Sequence, residues 1–393
     1  MFSRRTRWDR TRNRLSSVLE KRREAGAALL DLTASNPTTA GIEYPADLLD
    51  PLADERSRVY EPEARGLRPA REAVCADYRR RGLSVGAERI VLTASTSEAY
   101  AFLFKLLCDP GDAVLVPAPS YPLFDYLAEL ESVRVDRYTL CYDGQWHLPL
   151  GELAEAVTPL TRAVIVVNPN NPTGSYLKRD EAHGLAALCA ERGVAVVSDE
   201  VFADYAFGED PRRVSCVLED GPALAFSLGG LSKSCGLPQL KLAWIAVGGP
   251  ARAREEALSR LEIVADTYLS VGTPVQRALP RLLVRLPELQ APIAARLAAN
   301  RAALDRRLGP GSPATLLAPE GGWYAVLRIP ATVPEEQRVV QLLEERGVLV
   351  HPGFFFDFAA EAYLVLSLLA REDEFARGLG AILDDIQASP PEL

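Results

Sequence analysis

Six short β-branched runs recur between residues 88 and 248: RIVLTAS, AVLVPAP, RAVIVVNP, VAVVSDE, ALAFSLGG and LAWIAVGG, with helical stretches between them. Alternation of this kind implies a mostly parallel sheet with helices on both faces, because each parallel pair needs a crossover and the helix supplies it. An α/β fold is expected. Past residue 250 the rhythm changes. Helices from about 251 to 308, interrupted by Pro274, Pro280, Pro287 and Pro292, are followed by GGWYAVLRIP, a helix near 334–346, GVLVHPG and AYLVLSLL. Strands mixed with helices here predict a smaller α+β lobe, and the amphipathic helix expected in MFSRRTRWDRTRNRLSSVLEKRREAG is assigned to the same lobe.

Ligands of open α/β sheets bind beyond the carboxyl ends of the strands. The residues following the runs are Ser95-Thr96-Ser97-Glu98, Ser120-Tyr121-Pro122, Asn168-Pro169-Asn170-Asn171-Pro172-Thr173-Gly174, Asp199-Glu200 and Lys233. Singly, each has an ordinary reading as a helix cap, a turn, a solvated loop or a surface lysine. Together they place an anion site, an aromatic face, an amide, a carboxylate and an amine on one sheet edge. Lys233 lies in AFSLGGLSKSCGLPQLKLAWIAVG, with no acidic neighbour in sequence. A lysine desolvated among apolar groups has a lowered pKa and forms a Schiff base with an aldehyde. The helix N-terminus at Ser95, Thr96 and Ser97 suits a phosphate. A ring stacks on a flat heteroaromatic, an amide binds a ring hydroxyl, and a carboxylate keeps a pyridine nitrogen protonated. Pyridoxal phosphate requires every one of these.

Composition removes the competing classes. A net charge of -9 and a pI near 5.2 argue against a nucleic-acid partner. No run of 18 apolar residues and no secretory apolar core is present, so no membrane association and a cytoplasmic location are expected. The six cysteines lack CxxC spacing, which suggests neither a metal site nor a disulfide scaffold. His147, His183 and His351 form no constellation, so a hydrolytic triad has weak support and lysine chemistry gains.

From LTASNPT through YEPEARGLRPAREAV, TASTSEAY, PSYPLF, NPNNPTG, SDEVFADY and GLSKSCGLP to EGGWYAV, nearly the whole chain resembles the class I/II family of fold-type-I pyridoxal-phosphate aminotransferases. The resemblance implies amino-group transfer between an amino acid and a 2-oxo acid, by a homodimer with active sites at the subunit interface. It implies a large cofactor domain over 45–285 and a small domain built from 1–44 and 286–393. By matching position, Lys233 would carry the Schiff base and move the substrate's α-proton, and Asp199 would pair with the pyridine nitrogen. Asn171 would bind the cofactor's phenolic oxygen, and Tyr121 would stack on its ring. Ser95, Thr96, Ser97, Ser232 and Lys241 would hold the phosphate, with Tyr60 reaching the neighbouring subunit's phosphate. Asn36, Asn171 and Arg65 would meet the substrate.

Four positions depart from that pattern. Lys241 stands eight residues after Lys233 where an arginine is usual, a point charge without the bidentate fork. Gly230 replaces a hydroxyl, for which Ser232 is the substitute. Phe202 replaces a tyrosine that donates to the phenolic oxygen, with Tyr205 as a possible donor from another direction. In AYLVLSLL, Val365 sits where an arginine usually grips the substrate carboxylate, leaving Arg371, Arg65 and Arg328 as replacements. An alternative activity follows: a pyridoxal-phosphate lyase, or a transaminase of an amine lacking the α-carboxylate, with Val365 lining an apolar pocket. A cofactor-binding regulator is disfavoured, because no helix-turn-helix extension is present. Trp323, Tyr324, Phe354, Phe355 and Phe356 hint at an apolar substrate side chain.

Overall fold

The structure is a computed structural model and describes residues 1–218 and 221–388. Seven strands, β1 (Ile90–Thr93), β2 (Ala113–Ala118), β3 (Arg134–Thr139), β4 (Thr161–Val167), β5 (Ala195–Asp199), β6 (Ala225–Gly230) and β7 (Ala243–Gly248), form one sheet. Their order is β1-β7-β6-β5-β4-β2-β3. β7 runs antiparallel to β1 and β6, and every other neighbouring pair is parallel. The carboxyl ends of β1, β2, β4, β5 and β6 therefore emerge along one edge, as the alternating pattern predicts. β3 was not among the expected strands. It is an edge strand whose exposed Arg134 and Arg137 break the apolar run that marks the others.

Side chains alternate across each strand, so the sheet carries two apolar cores. Leu92, Leu115, Val164, Val196 and Trp244 meet Val74 and Tyr78 of helix Arg68–Arg80, Leu185 of helix Arg179–Arg192 and Leu282 of helix Thr273–Val284. Val91, Val114, Ile165, Val197 and Ile245 point the other way, onto Leu103 and Phe104 of helix Thr96–Leu107 and Leu261 of helix Ala251–Tyr268.

A second, antiparallel sheet holds β8 (Thr315–Leu317), β9 (Tyr324–Arg328), β10 (His351–Pro352) and β11 (Tyr363–Ser367) in the order β8-β9-β11-β10. Ala325, Leu327, Leu364 and Leu366 face a core completed by Phe375 and Ile382 of helix Glu372–Ala388 and by Leu15 and Val18 of helix Arg14–Glu24. The opposite face packs Leu317, Val326 and Val365 against Trp146 and Phe356.

Three expectations are corrected. The N-terminal helix spans only Arg14–Glu24, capped by the Asn13 side chain accepting from Ser16 N at 2.7 Å. Residues ahead of it lie on the large sheet's side, with Trp8 5.2 Å from the Tyr126 ring and Arg5 donating to Leu130 O. Of the four prolines, Pro274 and Pro287 sit in first turns, where the missing N–H has no helical partner to lose, while Pro280 and Pro292 lie inside continuous helices. Helix Glu372–Ala388, unanticipated from sequence, closes the small lobe. Among the described residues no helix is long and apolar enough to cross a membrane, and no group of three His, Cys, Asp or Glu side chains gathers to hold a metal.

Candidate active site

β6 ends in Gly229-Gly230 because β7 leaves no room for side chains there. A Cβ on Gly229 would approach the Trp244 indole to 2.6 Å, and one on Gly230 would meet the Ala243 Cβ at 2.9 Å. The chain then makes the short turn Leu231–Ser234 that carries Lys233. Lys233 Nζ stands 4.9 Å from the Trp323 ring centre and 5.5 Å from that of Phe202. Burial pushes its pKa down to about 8, and the negative charge of Asp199 pulls partly the other way. The Lys233 main chain is held from below, because the Tyr205 hydroxyl donates to Lys233 O at 2.8 Å.

Asp199 closes β5, with its main-chain carbonyl accepting from Asn168 N at 2.8 Å. Its carboxylate accepts from Val201 N and from the Tyr100 hydroxyl, both at 3.2 Å. Burial raises its pKa to about 6 against these hydrogen bonds and the Lys233 charge. The next residue turns to the opposite face. Glu200 accepts there from Arg81 at 3.0 Å, from Ser227 Oγ at 2.7 Å and from Val217 N at 3.0 Å. The adjacent acids thus serve different layers, one the site and one the buried interior beneath it.

The three asparagines after β4 divide the work in the same way. Asn168 donates to Val214 O and accepts from Leu177 N, each at 3.0 Å. Asn170 accepts from Thr173 Oγ1 at 2.9 Å. Asn171 Oδ1 is buried without a partner among the described residues, an acceptor held ready for something else. Gly174 (φ +72°) lets the loop close against the small lobe, since a Cβ would come within 2.4 Å of Gly321 O.

Tyr121, after β2, is 44% exposed, and its phenol is pushed up by burial and by the Asp199 charge, which puts ring and carboxylate in one neighbourhood. Ser120 N donates to Phe356 O at 2.8 Å, tying this segment to the small lobe. Ser95 caps helix Thr96–Leu107 by accepting from Glu98 N at 3.1 Å, with Thr96 and Ser97 in the first turn. Glu98 accepts from Ala94 N at 2.6 Å and from Ser270 Oγ at 2.7 Å. Ser95-x-x-Glu98 has capping-box spacing, a local mark of the helix start. Ser270, Tyr100 and the Trp323 wall against Lys233 carried no such signal.

The remaining predicted residues distribute as follows. Ser232 is partly exposed, and its hydroxyl bonds no other described residue. Lys241 is exposed in a left-handed conformation (φ +52°) at the start of β7. Tyr60 is 70% exposed and lines a small cleft with Leu269 and Ser270. Asn36 is exposed, its Oδ1 accepting from Thr38 N and Oγ1. Arg65 does not join the group, since Glu262 at 2.5 Å and Glu88 O at 3.0 Å hold its guanidinium on the face of helix Ala251–Tyr268. Tyr205 cannot replace a donor lost at Phe202, because its hydroxyl is spent on the Lys233 and Ser234 carbonyls. Val365 lines no open pocket. It is fully buried, paired in register with Val326 and His351 and covered by Trp146 and Phe356. Arg371 is exposed beside Asp373 and Glu374, and Arg328 is exposed at the end of β9.

A desolvated amine, a carboxylate sensing its charge, the uncommitted amide of Asn171 and a capped helix N-terminus fit the groups pyridoxal phosphate requires. Residues 29–376 match the family model described as Aminotransferase class I and II. The chain is 26% identical over 365 residues to the glutamate-pyruvate aminotransferase AlaA of Escherichia coli (strain K12), covering 91% of this chain and 90% of that one. It is 31% identical over 246 residues to the S-alkyl-thiohydroximate lyase SUR1 of Arabidopsis thaliana, covering 62% and 53%. Among solved structures, an alanine aminotransferase from Pyrococcus furiosus superposes with a TM-score of 0.88 at 21% identity, over 99% of this chain and 100% of that one.

Proposed function

The chain belongs to the class I and II aminotransferases, and from that premise we propose that Lys233 is the catalytic base and covalent anchor, working against Asp199. The observation carrying this reading is that Asp199 ends β5 and Lys233 follows the end of the adjacent parallel strand β6, so carboxylate and amine share one sheet edge. Pyridoxal 5′-phosphate is the family's cofactor, and when bound it supplies an aldehyde to capture the amino group and a ring to absorb electrons. Asp199, a carboxylate above pH about 6, would pair with the ring nitrogen and keep it protonated. Asn171 would donate from its amide nitrogen to the phenolic oxygen, and Tyr121 would stack on the ring. Ser95, Thr96, Ser97, Ser232 and Lys241 hold the phosphate at the helix N-terminus. Lys233 takes the proton from the donor's α-carbon, which its depressed pKa permits near neutrality. Phe202 and Trp323 keep water from the amine.

The two apolar cores of the large sheet and the separate small-lobe core support two domains, 45–285 and 1–44 with 286–393, the last five residues lying outside those described. Helix Leu286–Arg307 spans both, with Leu289 in one core and Ile293 in the other. Exposed Val59, Tyr60, Ile263, Tyr268 and Leu269 support a homodimer that brings Tyr60 to the neighbouring phosphate. Tyr60→Phe is expected to leave the dimer mass in sedimentation unchanged and to weaken cofactor affinity about tenfold, the worth of one hydrogen bond to a charged group. A monomeric wild type removes this role. The composition fits a cytoplasmic enzyme.

Amino acids and 2-oxo acids are the substrates of the family, and a screen of amino donors reads the reaction directly. Transfer converts the bound cofactor to its amine form with one equivalent of oxo acid. The similarity to the lyase SUR1 favours a second reading, a lyase, which expels a β-substituent of the amino acid and releases oxo acid and ammonia without that conversion. Conversion by any donor supports transfer, and ammonia release alone selects the lyase. Neither result across the common amino acids overturns both.

A further inference from the structure

Resting on the aminotransferase reading, we infer that Glu320 is a positioning residue of the site: its carboxylate, clamped by Lys178, Arg213 and the Tyr176 main chain, seats the connection between β8 and β9 so that Trp323 lies against the Lys233 amine. Residues 318–323 enter a slot between two loops of the large sheet, one following β4 past Asn171 and one following β5 past Asp199. On the first side Glu320 N donates to Gly174 O at 3.1 Å. On the second, Phe207 N donates to Glu320 O at 2.8 Å and Gly322 N to Tyr205 O at 2.9 Å. No side chain fits between these contacts, since a Cβ on Gly321 would approach Tyr205 O to 2.5 Å and the Tyr176 ring to 2.8 Å. Trp323 is thereby delivered at a fixed height, its ring centre 5.3 Å from those of Phe202 and Tyr205 and 4.9 Å from Lys233 Nζ.

The Glu320 side chain supplies the hold. Its Oε2 accepts from Lys178 Nζ at 2.7 Å and from Tyr176 N at 3.0 Å, and its Oε1 accepts from Arg213 Nε at 3.2 Å. The three charged side chains are each no more than 14% exposed. Arg213 lies 5.1 Å over the Tyr176 ring, whose hydroxyl donates to Ala203 O at 3.0 Å, so the clamp grips both loops at once. The carboxylate is the counter-charge of two buried cations, and neutralising it leaves both uncompensated. The segment then loses its seat, the Trp323 wall draws back, and water reaches the amine. Exclusion of water by this wall outweighs the attraction of its ring for an ammonium, because burial is what lowers the Lys233 pKa.

The test labels the full, cofactor-free chain with acetic anhydride across pH, since only the neutral amine reacts, and reads the Lys233 peptide by mass spectrometry against free phenylalanine as internal standard. The wild-type midpoint is expected near 8. Glu320→Gln is expected to raise it by about half a unit to one unit, which cuts the neutral fraction at lower pH about three- to tenfold. Lys178→Met loosens the same carboxylate from its partner's side, is expected to move the midpoint the same way, and carries the test if Glu320→Gln does not fold. Adding Glu320→Gln to Trp323→Leu is expected to move the midpoint no further than Trp323→Leu alone, because both act through one ring. Asp385→Asn breaks the buried pair that Asp385 makes with Arg338 at 2.7 Å in the small lobe, and should lower the Tm while leaving the midpoint in place. A midpoint that stays near 8 in folded Glu320→Gln overturns the inference and leaves the Lys233 assignment standing, as does an equal shift in Asp385→Asn. A wild-type midpoint near 10.5 takes down both, so the two failures are distinguishable.

Discussion

Lys233→Ala is expected to abolish amino transfer and the visible absorbance of lysine-bound cofactor, while cofactor held through its phosphate remains measurable by dialysis. Loss of a positioned base alone lowers a rate by about 10²–10⁴-fold, and loss of the covalent anchor adds to that. The wild-type amine makes a second, pH-dependent prediction. With a pKa of about 8 instead of 10.5, about a quarter of the amines are neutral at pH 7.5, against about one in a thousand for an ordinary lysine. Trapping of an added aldehyde by cofactor-free protein, followed by absorbance, should therefore rise through pH 8 and level above it. The unfolded chain keeps this proton up to the ordinary value, so the site's contribution to native stability increases between about pH 8 and 10.5. A trapping midpoint near 10.5, or a Lys233→Ala variant that still transfers amino groups, removes the lysine from its assigned role.

Asp199→Asn keeps shape and size while deleting the charge, and should lower turnover about 10²–10³-fold, the range seen when one preorganised electrostatic partner is lost. The structure adds a readout independent of turnover. The Asp199 charge props up the Lys233 pKa, so the aldehyde-trapping midpoint of the variant should fall below that of the wild type. In the wild type, Asp199 gains its proton as the pH drops through about 6 and Lys233 regains its own below about 8, so both groups make activity decline toward acid pH and neither limits it above pH 8. Because burial raises this carboxyl above its unfolded value of 3.8, the cost of its buried charge appears as pH rises from 3.8 toward about 6 and persists above. Near-normal turnover with an unmoved trapping midpoint sinks the pairing of these two residues.

The residues of the site are unequally legible in the chain. Lys233, Asp199, Asn171, Tyr121 and Ser95 each follow a strand whose apolar run is plain, so topology alone carries them to one edge. Glu98 was readable from its capping spacing, yet its link to Ser270 was not, because the two are 172 residues apart. Tyr100, one aromatic in an apolar helix, carries no local mark of its hydroxyl's bond to Asp199. Tyr205 and Arg65 were plausible by type, and each is occupied by a partner that no local pattern announces.

The sequence by itself determined six of the seven strands of the large sheet, their crossovers and the edge where chemistry gathers, since hydrophobic period and the geometry of parallel connections are local and nearly obligatory. Only tertiary structure decided what each polar group is free to do. The burial that lowers the Lys233 pKa is supplied by Phe202 and Trp323, 31 and 90 residues distant in number, and Val365 is sealed by Trp146 and Phe356 from different segments. Desolvation and hydrogen-bond commitment depend on which surfaces the fold brings together, and that information is distributed across the whole chain.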